Sequence, residues 1–466
     1  MALKFAAMLL PPILSPEAGG SSRTRSPMTV FLPRHWPQWL LLLLSVLLIV
    51  APASTKVAGT AWLLIVLVGL WATVCLPLAP PSSPALVQSS RLWVGACLLA
   101  LALQAVATFY WADPWGDRHV EFRLLLGAVA TFAIVRRLYV LPRHKVWLAH
   151  SLALACSVAL SVVYVNGRST PSNAIPWAAG VSFFVCLLLP LSFQSQFKPW
   201  QRAAWTLAAL SGVAAVLLSQ SRGSYGLVLW VFFVFGVVAV KEVLQYRKPI
   251  VKGWVNKGVL RLGCAAMATT LLVLAVLVSF PRIYEEPSAR LQDAWSDVKA
   301  ISLPTHLQPQ GVNTSVGARL YMWRMALNEI SEAPLIGHGS KARMAWIHKL
   351  GTSAGSDGIK SLDHLHSDVL TTLFDHGLLG LLSYLTLAVA LIFIALRHEH
   401  RHTILPWSLS GILWMHLSAG LTNMNFGHNY YGVMLALSLA LAWMLSTDEK
   451  KQFGPGEHDV SVPIQC

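Results

Sequence analysis

A bilayer-spanning helix needs roughly 20 mostly apolar residues. Runs of that kind fall near 38–54, 58–79, 92–111, 120–136, 146–165, 173–193, 202–219, 224–241, 259–280, 368–396, 402–421 and 428–446. The pattern predicts an all-α polytopic membrane protein with about twelve transmembrane helices. The first run is short, and the tenth is long enough to tilt or to start outside the bilayer. The repetition is interrupted once, over residues 281–367. The chain therefore divides into an extension (1–37) expected to be disordered, spans one to nine (38–280), a large loop (281–367), spans ten to twelve (368–446) and a tail (447–466).

Within the loop the period changes to that of surface helices. Over 289–300, Leu291, Ala294, Trp295 and Val298 form one apolar stripe, and over 315–330, Leu320, Trp323, Leu327 and Ile330 form another. Pro334 and Gly337 end the second helix. Residues 351–358 are rich in Gly and Ser and are expected to be mobile. Ser367 is a reasonable N-cap for the tenth span. The pattern reads as helices lying against the membrane, not as a compact core of their own.

Composition agrees: 55% of the 466 residues are hydrophobic and only 12% charged, too apolar for a soluble chain of this size. The formal charge of +15 raises the question of nucleic acid. The basic residues flank apolar runs instead of clustering, so no nucleic-acid partner is expected. With the N-terminus in the cytoplasm, twenty-one Lys and Arg fall in inner segments and four (Lys56, Arg118, Arg168, Arg222) in short outer loops. The positive-inside rule then puts both termini in the cytoplasm, and the large loop and Arg222 on the outer face. In a Gram-negative bacterium that face is the periplasm and the membrane the inner one. Five of six cysteines lie in apolar runs and none in the loop, so no disulfide framework or thiolate metal site is expected. Lys4 and the run 5–14 faintly resemble a signal peptide, but Pro11-Pro12 breaks the run and no small-residue cleavage site follows. Met28 is an alternative start.

The candidate chemistry sits in the loop and one outer turn. Arg222 follows Ser221 in the shortest outer turn, where a snorkelling arginine is the bland alternative. Arg319 and Arg324 equally suit the solvated face of an amphipathic helix. His338 lies between Gly337 and Gly339, whose backbone can approach a ligand closely. His364 and His366 have no third ligand at helical spacing, a weak zinc signal, and no metal or other cofactor is expected. Asp368 and Asp375 read as supporting or capping residues.

Three motifs carry a resemblance. They are Ser221-Arg222-Gly223-Ser224-Tyr225-Gly226, then Pro334-Leu335-Ile336-Gly337-His338-Gly339, then His364-Leu365-His366-Ser367-Asp368 running on to Phe374-Asp375-His376-Gly377-Leu378-Leu379-Gly380. With Arg319 and Trp323 between them, the chain resembles the bacterial O-antigen ligase/O-antigen polymerase superfamily from about residue 38 to 446. His338 with Arg222 and Arg319 is similar to the ligase branch. The resemblance implies a glycosyltransferase-C-like membrane enzyme. Its donor would be a glycan on undecaprenyl pyrophosphate, its acceptor a sugar hydroxyl of lipid A-core, and membrane lipids its surroundings.

On that reading Arg222 and Arg319 stabilise the pyrophosphate, because guanidinium forks match phosphate oxygens and stay charged. Ser221, Tyr225 and Arg324 complete the donor site, and His364, His366 and Asp368 support it. His338 is the expected general base, its unperturbed pKa of about 6.5 lying near working pH. Direct displacement predicts inversion without a metal. The rival readings are an O-antigen polymerase, a protein O-oligosaccharyltransferase and, from another class, a lipid or glycan transporter. The spans hold few mid-membrane ionisable groups, which disfavours transport.

Overall fold

The computed structural model describes residues 36–76, 83–138, 140–245, 282–301, 314–400 and 403–447. Among them are fifteen α-helices and four short 3₁₀ turns, with no strand. Eight segments are long and apolar enough to cross a bilayer. They are α2 (Thr55–Cys75), α3 (Pro84–Trp111), α5 (Pro142–Asn166), α6 (Ala174–Ser192), α7 (Pro199–Leu218), the stretch Arg222–Lys241 that opens α8 (Gly226–Gln245), α13 (Asp368–Leu396) and α15 (Asn429–Ser446). This is the architecture of a polytopic membrane protein. Three further helices, α1 (Gln38–Val50), α4 (His119–Arg137) and α14 (Leu405–Thr422), occupy expected runs but fall short in length or apolarity. The expected span 259–280, nearly all of the extension, loop residues 302–313 and the tail from 448 lie outside the described residues.

Two helices form the centre of the bundle. In α6 and α15, 94% of the apolar window is buried, against half or less in the other candidate spans. A helix that is apolar all round belongs in such a place, and α6 is one, with Trp177, Phe183 and Phe184 fully buried. The Trp177 indole N–H is satisfied by the Pro52 carbonyl at 2.7 Å. Peripheral helices turn Leu63, Leu67, Phe232, Phe233, Val389 and Phe393 outward. Such apolar exposure is stable where the surrounding solvent is lipid.

The loop contributes α9 (Arg282–Ile301), α10 (Ser315–Glu332), α11 (Ser340–Ser353) and the single turn α12 (Asp357–Lys360). The stripe on α9 is exposed, as a surface helix requires, with Leu291 and Trp295 both open. The rest departs from expectation. Met322, Ala326, Ile347, Leu350, Ile359 and Leu365 pack with Phe374 of α13 into a second apolar cluster, separate from the bundle core. The loop thus has a small core of its own, because α11, unmarked in the sequence pattern, supplies the side opposite α10. The Gly/Ser-rich stretch is folded too. The Ser356 N–H bonds the Gly351 carbonyl at 2.9 Å, and the Ser356 hydroxyl caps α12.

What positions the loop is a break in α13. Gly377 has φ 57° and ψ −146°, which interrupts the helix. Two rungs of the ladder, from Leu378 and Leu379 back to Phe374 and Asp375, are missing there. The segment 334–339 replaces both. The N–H groups of His338 and Gly339 donate to the carbonyls of Phe374 and Asp375 at 2.8 and 2.9 Å. The N–H groups of Leu378 and Leu379 donate to the carbonyls of Pro334 and Leu335 at 2.8 and 3.2 Å. Four backbone groups that would otherwise be orphaned are paired, and each buried unpaired group costs about 1–3 kcal/mol. The two glycine motifs are therefore halves of one interlock.

Candidate active site

The turn between α7 and α8 is held tightly. Gln220 has φ 56°, and residues Arg222–Ser224 form a 3₁₀ turn that Tyr225 closes through its N–H on the Arg222 carbonyl at 3.1 Å. The Ser221 and Ser224 hydroxyls lie 3.3 Å apart. Gly223 presses on the end of α14, where a Cβ would collide with the Thr422 and Asn423 side chains. Arg319 reaches the same place from α10, with Nη1 at 3.5 Å from the Thr422 carbonyl. The result is a cavity of about 100 Å³ lined by Arg168, Arg222, Arg319, Gln220, Ser221 and Asn423, among others. Three guanidinium groups and no carboxylate line it. Burial first, and then the charge of Arg222, pushes the Arg319 pKa down. An anion seated there would relieve that repulsion.

A second cavity, of about 430 Å³, lies between the α3–α4 connection, the loop and the start of α13. His119, His364, His376 and His428 line it, with carboxylates including Asp117, Asp368 and Asp375. Ser340 and His376 line one wall, and behind them Asp113 takes the Ser340 hydroxyl at 2.8 Å and the Ser340 N–H at 3.2 Å. His376 Nε2 stands 3.5 Å from the same carboxylate. Burial alone would raise the Asp113 carboxyl, but His376 and Ser340 outweigh it and hold it below the usual carboxylate range. Beside this wall Arg343 and Asp375 form a buried pair at 2.8 Å. Removing one partner of such a pair leaves a buried uncompensated charge. Asp375→Ala is thus expected to lower stability by about 3–5 kcal/mol, read as a fall in thermal midpoint of the detergent-solubilised protein. An unchanged midpoint would show that the pair is not stabilising.

His366, like His338, lines neither cavity, but its neighbours belong to both. Its backbone is left-handed (φ 52°), and its ring meets the His364 ring edge-on at 4.3 Å between centroids. Burial first, then His364, Arg319 and His428, pushes its pKa down to about 3. Those neighbours belong to different cavities, Arg319 to the first and His364 and His428 to the second. His364 and His428 are likewise lowered, chiefly by burial. Asp368 holds this arrangement by accepting from the Phe426 N–H at 3.0 Å, while its own N–H donates to the Asn423 carbonyl at 3.1 Å.

The expected residues are thus only partly assembled. Ser221, Arg222 and Arg319 meet in one cavity, and His366, His364 and Asp368 adjoin it. Arg324 is exposed on α10, and neither it nor Tyr225 lines the cavity. His338 lines neither cavity. Its Nε2 lies 2.8 Å from the Glu329 carbonyl, which only accepts, so that nitrogen carries the hydrogen and only Nδ1 is basic. Its flanking glycines serve the α13 interlock and, at Gly339, a close approach to Trp111. Arg168, Asn423, His428 and Asp113 were not legible as site residues. Arg168 had a signal, being one of few cations in the outer loops.

Residues 206–385 match the family model described as O-antigen ligase, which supports membership of the O-antigen ligase/polymerase superfamily. The matched stretch runs from α7 to the middle of α13 and contains all the residues expected in the site. An uncharacterized protein of Haemophilus influenzae (strain ATCC 51907 / DSM 11121 / KW20 / Rd) is 25% identical over 224 residues, covering 48% of this chain and 50% of that protein. The chain thus spans about half the length of the curated relative it matches.

Proposed function

We propose that this protein is an O-antigen ligase. It would transfer a glycan from undecaprenyl pyrophosphate to a sugar hydroxyl of lipid A-core, on the periplasmic face of the inner membrane, with both termini cytoplasmic. The observation that carries the reading is the carboxylate-free cavity formed by Arg168, Arg222 and Arg319 at one end of an apolar bundle. A lipid-linked pyrophosphate needs both features together, a lipid-facing protein body and fixed cations where the anion sits. The family match over residues 206–385 supports the same class of reaction.

In the proposed step the acceptor oxygen attacks the anomeric carbon and the bond from that carbon to the bridging phosphate oxygen breaks. Undecaprenyl pyrophosphate leaves with the electron pair, and its new charge falls to the guanidinium groups. Displacement at one face inverts the anomeric configuration. The donor's own pyrophosphate linkage supplies the free energy, so no nucleotide or metal is required. The acceptor proton passes to a histidine. Neither His366 nor His338 lines a cavity, but the His366 ring stands against His364 of the larger one, which makes it the candidate.

Two outcomes follow from that assignment. His366→Ala is expected to lower transfer by about 10²- to 10⁴-fold, whereas His338→Ala removes the ring that bonds the Glu329 carbonyl and packs on Phe374, and shows in stability first. The reverse ranking in purified protein would return the role to His338. Held neutral down to about 3 in the empty site, His366 keeps its unprotonated form in acid, and it is the arrival of the pyrophosphate anion beside Arg319 that raises its otherwise weak basicity. The rate is therefore expected to stay flat between about pH 7 and 5, where an unshifted histidine of pKa about 6.5 would lose most of its basic form. The reaction is tested with purified protein, lipid A-core and a lipid-linked glycan. A ligase modifies the core, a polymerase lengthens the donor, a protein O-oligosaccharyltransferase needs a protein acceptor, and a transporter makes no covalent product.

A further inference from the structure

The larger cavity has a different chemistry from the arginine cavity, and it contains groups that the proteinaceous surroundings leave unsatisfied. Thr371, in the second turn of α13, is only 3% exposed, and its hydroxyl has no hydrogen-bond partner. Thr108 of α3 shares this state, whereas several other helical threonines do not. Thr73, Thr131, Thr206 and Thr386 each return their hydroxyl to the carbonyl four residues earlier, at 2.7–2.9 Å. Such back-bonding is the ordinary way a helical hydroxyl is satisfied. Asp368, one turn before Thr371, is 1% exposed, and while Oδ1 takes the Phe426 N–H, Oδ2 has no partner. Both residues line the cavity. Asp368 Oδ2 lies beside Gly420 and the Tyr384 hydroxyl of the bundle, so it is the buried Thr371 hydroxyl, on a residue that lines the cavity, that calls for a hydrogen-bonding ligand.

Charge separates the two cavities. The smaller is lined by three guanidinium groups and no acid. The larger is lined by five acidic side chains (Asp117, Glu121, Asp363, Asp368, Asp375), of which Asp375 is taken up by Arg343 and Asp368 is fully buried, against Arg118, Lys341 and Arg343, with Phe426 on one side. Carboxylates repel a pyrophosphate but accept from sugar hydroxyls, and an aromatic face packs on the apolar side of a sugar ring. The volume of about 430 Å³ lies within the range of small-ligand sites of roughly 300–1,000 Å³. At about 100 Å³, the arginine cavity falls below that range.

We propose that the larger cavity is the acceptor-sugar site, binding a hydroxyl-rich saccharide through Thr371 on one wall and Asp117 at the rim. The inference rests on the transfer reading above. It follows from geometry that the sugar bound here is the acceptor and not the donor. In a direct displacement the attacking hydroxyl and the leaving phosphate lie on opposite sides of the reacting carbon. The leaving group belongs with the arginines, so the attacking hydroxyl belongs in an adjoining space, and the Asp368 N–H on the Asn423 carbonyl joins the lining of the larger cavity to that of the arginine cavity.

The test is binding to the full-length protein in detergent micelles, with two probes: a deacylated lipid A-core oligosaccharide, and inorganic pyrophosphate. Thr371→Val keeps the shape and removes the hydroxyl, and Asp117→Asn removes a rim charge without touching the core. Each is expected to weaken oligosaccharide binding by about five- to tenfold, the loss of roughly one hydrogen bond. Pyrophosphate binding should stay within twofold, which also certifies that the variant is folded. Arg222→Ala should do the opposite. If wild type shows no saturable oligosaccharide binding, or if both cavity variants bind it as wild type does, the acceptor site is wrong. If they weaken capture of the lipid-linked donor instead, the cavity holds the donor glycan and the proposal is overturned. If Arg222→Ala leaves pyrophosphate binding intact, it is the transfer reading that fails, independently of this cavity.

Discussion

Arg222→Ala and Arg319→Ala are each expected to lower glycan transfer by about 10²- to 10³-fold, the usual cost of removing one preorganised group that stabilises developing charge. Neither should change the amount of protein in the membrane. Arg222 projects from a turn fixed by its own backbone, by the Ser221–Ser224 contact and by the fit of Gly223 against α14. Removing the side chain leaves that scaffold in place. Arg319 is a harsher case for binding and a milder one for folding. Burial and its neighbour Arg222 already disfavour its charge, so the empty site gains little from it. Its contribution is realised when an anion arrives. Arg222→Lys is the sharper probe, because lysine keeps the charge and loses the planar fork. If Arg222→Lys transfers as well as wild type, bidentate recognition is the wrong account of that position and charge alone suffices. Joint replacement should be less than additive, since both groups face one small cavity.

Gly377→Ala and Gly337→Ala are expected to be the most damaging single substitutions for the fold. Both glycines have positive φ, 57° and 67°, where a side chain is strained by about 1–2 kcal/mol. Space adds to this. A Cβ on Gly377 would lie 2.5 Å from the Leu335 carbonyl carbon, and one on Gly337 would lie 2.5 Å from the Phe374 carbonyl oxygen. These are backbone atoms that cannot swing aside, so the interlock must open. That frees four backbone hydrogen bonds in a poorly hydrated setting. A total loss of more than about 3 kcal/mol follows from these sources combined. It is measured as a lower thermal midpoint and faster proteolysis of the segment 334–339. The double variant should cost little more than either single one, because one opening removes the partner of both. Additive losses would show that the two motifs are not parts of one device.

The interlock also explains how the candidate site was read in sequence. A histidine between two glycines looks like a side chain presented to a ligand. Gly337 and Gly377 stand forty residues apart, and nothing in the spacing says that each makes room for the other's backbone. His338 was singled out for flanking residues that serve a different purpose. His366 carried only a weak metal pattern, yet its ring meets that of His364, a residue of the larger cavity. Its low pKa comes from burial and from Arg319, His364 and His428, which belong to three different segments. Arg168 likewise gains meaning only through Arg222 and Arg319.

Hydropathy alone determined that the chain is an all-helical membrane protein with one polar interruption, because a span is a local property of about twenty residues. It also placed α13 over 368–396 and located Arg222 in a tight turn, since these too depend on neighbours in sequence. The tertiary structure decided which groups share a cavity. It showed that the loop has its own small core and that a loop segment repairs the break in α13. It also showed that a cavity lined by acidic side chains adjoins an arginine cavity through Asp368 and Asn423. Those facts are set by close approach of segments separated by tens to hundreds of residues. Burial, pairing and backbone repair at such distances leave no periodic mark on the sequence.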